Sequence, residues 1–128
     1  MLEAARGLID ADEERREAGS LERLSAGLGT GGRGAAGLDE VLSVLVEQRV
    51  ETLLLRPGFT APGVVCSSCG WVGTRGRTCP VDGGELVERE DIVESAIERA
   101  LTQSATVMVM RHHEDLGGHG DIAALLRW

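Results

Sequence analysis

Lysine, asparagine and tyrosine are absent from this 128-residue chain, phenylalanine occurs once and tryptophan twice. With so few aromatic rings, a platform on which successive bases of a single strand stack is all but excluded, and the core must be built from Leu, Val, Ile, Ala and Met. All thirteen basic residues are arginine. That uniformity fits the codon bias of a GC-rich genome, and a high-GC bacterium is the expected source. Against 21 acidic residues they leave a formal charge of −8, which disfavours a broad phosphate-binding surface and DNA as a partner. No apolar run of about 18 residues is present and no basic segment followed by an apolar one opens the chain, so no membrane span or leader is read and a cytoplasmic protein is expected.

Signatures of catalysis are missing too. No GxGxxG joins a strand to a helix, no GK[ST] occurs, and no GxSxG elbow is present. The carboxylate pairs Glu90-Asp91 and Glu114-Asp115 are sequence neighbours, read as a helix start and a solvated loop. No enzyme is expected. At this length the chain is one domain, 1–128, able to bury a core without help from metal or disulfides.

What is present is a cysteine block. Cys66-x2-Cys69 is followed, after nine residues, by Cys79-Pro80-Val81-Asp82, so each half supplies two donors at a spacing tetrahedral zinc accepts. Three cysteines are an odd number for a disulfide framework, and thiolates on a metal suit the spacing better. Carboxylate is a harder donor than thiolate, so a three-sulfur, one-oxygen site holds zinc less firmly than four sulfurs. Two other readings stand beside it: a relic, metal-free knuckle in which Asp82 caps a turn, and a redox CxxC. His112, His113 and His119 read as exposed loop histidines, although one of them could replace Asp82 as fourth ligand.

Around the block lies an α/β pattern. Residues 2–28 read as a long helix with Ala5, Leu8, Ile9, Leu21 and Leu24 apolar and a wet charged face from Asp10 to Glu17. Gly27 to Gly37 reads as a flexible loop. Leu38, Val41, Leu42, Leu45 and Val46 recur at helical spacing behind Asp39 and Glu40. Val50 to Leu55 is an apolar run that suits a strand covered on both faces. After the insertion, 62–87, a helix over 91–103 carries Ile92, Val93, Ala96, Ile97, Ala100 and Leu101 on one stripe. Ala105 to Met110 is a second buried strand, and Ile122 to Trp128 closes the chain.

Three segments together resemble one family. Gly37-Leu38-Asp39-Glu40-Val41-Leu42, leading to Val50-Glu51-Thr52-Leu53-Leu54-Leu55, is similar to a helix-then-strand signature. Gly120-Asp121-Ile122-Ala123-Ala124-Leu125-Leu126-Arg127-Trp128 resembles a closing Gly-Gly-Ile-Ala-Ala-Ile-Leu-Arg-aromatic. The cysteine block lies between them. All three look like the third, C-terminal domain of the class-1 peptide chain release factors of archaea and eukaryotes and their bacterial relatives, a domain shared by Pelota-like ribosome rescue factors. The resemblance implies an αβα sandwich like that of kink-turn-binding ribosomal proteins, with a metal-knuckle minidomain inserted.

It also implies a non-catalytic interaction module of a termination or rescue protein, working with the ribosome or a translation GTPase. The family's catalytic Gly-Gly-Gln motif belongs to another domain and is absent here, so this chain is expected to be the C-terminal piece of a longer protein. Two alternatives remain. One is kink-turn-type RNA binding, which requires Arg33, Arg75, Arg77 and Arg111 to share a face. The other is an accessory role beside a hydrolase site in upstream domains.

Overall fold

The computed structural model describes residues 2–28, 32–113 and 116–128. Helix α1 spans Leu2–Gly27, strand β1 Gly34–Ala36, α2 Leu38–Val46 and β2 Val50–Leu55. Three short strands follow, β3 (Gly63–Cys66), β4 (Val72–Gly73) and β5 (Leu86–Arg89). Then come α3 (Ile92–Thr102), β6 (Thr106–Val109), one 3-10 turn (Leu116–Gly118) and β7 (Ile122–Leu126).

Four strands form the central sheet in the order β1-β7-β2-β6. The terminal strand β7 therefore lies inside it, antiparallel to both β1 and β2, while β2 and β6 run parallel. Side chains alternate across a pleated strand, and here the two sets feed two cores. Leu53, Leu55, Ile122, Ala124 and Leu126 pack with α2 and α3 through Val41, Leu42, Leu45, Ile92, Val93 and Ala96. Leu54, Ala123 and Leu125 point the other way and meet Leu24 and Leu21 of α1, with Met110 and Leu116. This is the αβα sandwich that was expected. Val50 joins the face of Leu53 and Leu55 despite the odd spacing because the register shifts between Val50 and Thr52.

The helix ends explain how the strands are fed. Asp91 caps α3 by accepting the Val93 N–H at 3.0 Å. At their far ends α2 and α3 stop the same way, with Gln48 (φ 59°) and Ser104 (φ 62°) left-handed. Gln48 N–H bonds Leu45 O and Arg49 N–H bonds Val44 O; Ser104 N–H bonds Leu101 O and Ala105 N–H bonds Ala100 O. Each pair closes a Schellman turn that reverses the chain straight into a strand.

Several expectations are corrected. Part of the presumed flexible loop, Gly34–Ala36, is strand β1, whose Ala35 is fully buried; Gly29, Thr30 and Gly31 lie outside the described residues, as do Glu114 and Asp115 and the side chains of Ala5, Leu8, Ile9 and Asp10. β6 is not a buried strand: it is the edge, and its Val109 is 41% exposed. Leu101 leaves the apolar stripe of α3 and is 59% exposed. The charged run of α1 is not wet throughout, for Glu17 is 2% exposed and its Oε1 accepts the His112 backbone N–H at 2.8 Å. That bond ties the middle of α1 to the loop after β6. Among the described residues no helix is long and apolar enough to cross a membrane.

Candidate metal centre

The cysteine insertion is a second sheet, ordered β4-β3-β5, with β5 running to Arg89, two residues beyond the expected limit. It is set against the main body. Val72 of β4 belongs to the principal core, and an added Cβ at Gly63 would lie 2.7 Å from both the Gly73 carbonyl and Ile92. Only glycine permits that approach of β3 to α3. Thr74 donates to the Asp39 carboxylate on α2, and Arg99 of α3 donates to the Cys69 carbonyl at 3.4 Å.

Two tight turns carry the donors. In the first, Gly70 N–H bonds Cys66 O at 2.8 Å and Cys66 N–H bonds Trp71 O at 2.8 Å, with Gly70 at φ 81°. In the second, Gly83 N–H bonds Cys79 O at 2.9 Å and Cys79 N–H bonds Gly84 O at 2.7 Å. These closures point Cys66, Cys69, Cys79 and Asp82 at one spot, with all four donor atoms within 4.8 Å of one another. The Sγ atoms of Cys69 and Cys79 are 3.6 Å apart, and Cys66 Sγ is 3.5 Å from both Asp82 oxygens. Zinc–sulfur bonds of about 2.3 Å at tetrahedral angles place sulfurs about 3.8 Å apart, so the donor set fits such an ion.

Electrostatics prepare the same cluster. The Cys69 backbone N–H, helped by that of Ser68 and by the neighbouring thiols, holds Cys66 below the ordinary thiol range against the effect of burial. The Gly84 N–H, at 2.8 Å, does most to keep the Asp82 carboxyl low. Cys69 receives help from the Trp71 N–H, yet burial, the Cys66 and Cys79 sulfurs and the Asp82 charge outweigh it and push the thiol up to about 11. Three thiols and a carboxylate repel one another once ionised, and a divalent cation among them removes that conflict. Cys66 and Cys79 are buried with Val64, Leu86 and the flank of Trp71, whereas Cys69 and Asp82 face solvent.

The histidines lie elsewhere. His112 Nε2 stands 3.8 Å from Glu13 and Glu17 on α1, and His119 Nε2 is 3.1 Å from Ser25 Oγ. His113 and His119 are half-buried, not the exposed residues expected, and one ring nitrogen of His113 has no partner among the described residues. None lies in the group that could hold a metal, Cys66, Cys69, Cys79 and Asp82. The four arginines do not share a face either. Arg33 precedes β1 and Arg111 follows β6, at opposite edges of the sheet, while Arg75 and Arg77 line a groove in the insertion with Arg89, Glu88 and Glu90. The condition for kink-turn-type binding by that set is not met. Arg99 and Glu17 were not legible as functional positions, because their partners are a backbone carbonyl and a backbone N–H 30 and 95 residues away.

No protein-family model matches the chain, and no curated protein does. Among solved structures it is similar to the C-terminal domain of a peptide chain release factor from Methanosarcina mazei, with 25% identity over 99% of this chain and 90% of that one and a TM-score of 0.69. It is also similar to Pelota of Archaeoglobus fulgidus (22% identity, 95% of this chain, 32% of that one, TM-score 0.59). A third likeness is to an archaeal translation termination factor (22%, 89% and 26%, TM-score 0.52). The chain thus matches an excised domain nearly end to end but spans about a third or less of the two longer proteins.

Proposed function

From a chain that has the C-terminal domain fold of the archaeal-type class-1 peptide chain release factors, we propose that it is the non-catalytic interaction domain of a translation termination or ribosome rescue protein. One observation carries this reading: the likeness runs over 99% of the chain, insertion included. Partners of the ribosome or translation-GTPase kind follow from that fold, and an acidic domain suits a protein partner better than bare nucleic acid. Catalysis, on this reading, belongs to other domains of a longer protein; the pair Ser25 and His119 has no acid bonded to the imidazole among the described residues.

Zinc is the ion proposed for the four donors. Bound there, it would crosslink the two turns and neutralise thiolate charge, serving structure without an open coordination position. Cys66, Cys69, Cys79 and Asp82 would hold it, the backbone N–H groups of Cys69, Ser68 and Gly84 would steady the anionic donors, and Arg99 would fix the outer turn by way of Cys69. Metal analysis of the purified chain is expected to give one equivalent, reduced in Cys69→Ser; zinc far below one equivalent in the wild type refutes the ligand set.

The functional reading is tested by sedimentation. The tagged chain is expected to pellet with ribosomes, or to bind a translational GTPase loaded with a non-hydrolysable GTP analogue, at micromolar concentration. Failure of both contacts overturns the role and leaves the fold untouched.

A further inference from the structure

Four arginines gather at one end of the central sheet. Arg33 immediately precedes β1, Arg127 immediately follows β7 and Arg49 immediately precedes β2, and these strands are neighbours in that order. Because β7 runs antiparallel to both, all three residues emerge at the same end. Backbone bonds lock them in a row: Leu126 N–H to Arg33 O at 2.9 Å and Arg127 N–H to Arg49 O at 2.6 Å. At about 4.8 Å between strands the row is roughly 10 Å long. Arg23 joins from α1.

The side chains of Arg127 and Arg49 are held by backbone oxygens. Arg127 donates Nε to Val50 O at 3.0 Å and Nη2 to Gln103 O at 2.6 Å, and Arg49 donates Nη2 to Trp128 O at 2.9 Å. The neutral carbonyls that Arg127 meets leave its guanidinium charge standing and fix its direction. The carboxylates the contacts place here are Glu47, 3.6 Å from Arg49, and Glu51, gripped by Arg23 at 3.0 and 3.1 Å. Glu51 is held below the usual carboxylate range by the Arg23 hydrogen bond first and by the charges of Arg23, Arg127 and Arg33. Four arginines thus face two side-chain carboxylates in a protein of net charge −8. Beside the row Trp128 is 58% exposed.

We propose that this sheet end is a docking surface for single-stranded RNA, its phosphates on Arg33, Arg127 and Arg49 and one base stacked on Trp128. A row of guanidiniums about 10 Å long beside an exposed indole offers contacts to successive phosphates and to one base of a single strand. A lone indole gives one stack and not a platform, so binding is weak and short-range, in keeping with an RNA segment presented by a larger assembly. The choice of RNA over DNA rests on the translation-factor reading; the surface itself does not.

Fluorescence anisotropy with a labelled twelve-nucleotide poly(U) RNA tests it, using the full chain at 50 mM salt. Saturable binding is expected, with log affinity falling by about 2 per decade of salt for three phosphate contacts. Arg33→Glu is expected to weaken it at least tenfold and Trp128→Ala severalfold, with unchanged thermal melting. In a Trp71→Phe background, RNA is expected to quench the remaining Trp128 emission. No binding at 50 mM salt, equal affinity in Arg33→Glu, or tighter binding of poly-glutamate than of RNA overturns the proposal. Isolated RNA is the probe, so its failure is distinct from a failure to pellet with ribosomes.

Discussion

The Asp82 carboxylate stands 3.5 Å from the Cys66 sulfur through both of its oxygens, in the place where a fourth thiolate completes an all-sulfur knuckle. Because oxygen is the harder donor, Asp82→Cys is expected to tighten zinc at least tenfold and Asp82→Ala to weaken it by a similar factor. Competition against a chromophoric chelator reads both. Equal affinity in wild type and Asp82→Ala removes Asp82 from the ligand set.

Gly84 orients that carboxylate by donating its N–H to Oδ1 at 2.8 Å. A Cβ there would stand 2.9 Å from the same oxygen and 3.5 Å from Cys66 Sγ. Gly84→Ala is therefore expected to lower metal affinity severalfold while far-UV circular dichroism stays unchanged, since the central sheet does not depend on this turn.

Metal-free, the raised Cys69 thiol makes stability depend on pH. Between its ordinary value near 9 and about 11 the folded chain retains a proton that the unfolded chain has lost. A group with a raised folded pKa contributes stability that is complete below the unfolded value and disappears as pH rises through the folded one. The melting temperature of the metal-free chain is expected to fall from pH 9 to 11, and to fall less in Cys69→Ser. Cys66 is displaced in the opposite direction, so the single substitution is the needed comparison. Identical slopes in the two proteins contradict the assignment. Zinc uptake at pH 8 is expected to release protons.

Glu17 is the buried acid of α1, and its Oε1 satisfies the His112 backbone N–H. Glu17→Ala strands that donor and is expected to cost about 1–3 kcal/mol in urea unfolding, with Glu17→Gln costing less because it keeps an acceptor oxygen. A neutral Glu17→Ala shows that water takes over the bond.

Gln103 joins three elements at the end of α3. Its Nε2 donates to Leu45 O of α2 at 3.0 Å and to Arg99 O at 3.3 Å, while its backbone carbonyl accepts from Arg127. Gln103→Ala is expected to destabilise by about 1–2 kcal/mol. One residue on, Ser104 is left-handed, and Ser104→Gly is expected to stabilise by up to about 1 kcal/mol by removing the Cβ penalty. Opposite signs at adjacent positions separate side-chain bonding from backbone strain in one thermal series.

Much of the fold was legible because periodicity is a local property. The apolar run of Ile122 to Leu126, the stripe of α2 and the helix start at Glu90-Asp91 each follow from neighbours within a few residues, and so does the donor spacing of the two cysteine-block halves. Strand β1 was not, since Gly34–Ala36 has neither length nor β-branched residues and becomes a strand by pairing with β7, ninety residues on. Edge against centre was equally hidden: β6 reads as apolar as β2, and strand order alone exposes Val109.

The sequence by itself determined which residues are chemically able to bind a metal and which faces must be apolar, because side-chain chemistry and helical or pleated spacing are written residue by residue. Tertiary structure alone decided that the two donor turns converge while the histidines lie elsewhere, that Glu17 is buried, and that Arg33, Arg49 and Arg127 stand in line. Each of those facts depends on segments distant in the chain being brought within bonding range, which no local pattern encodes.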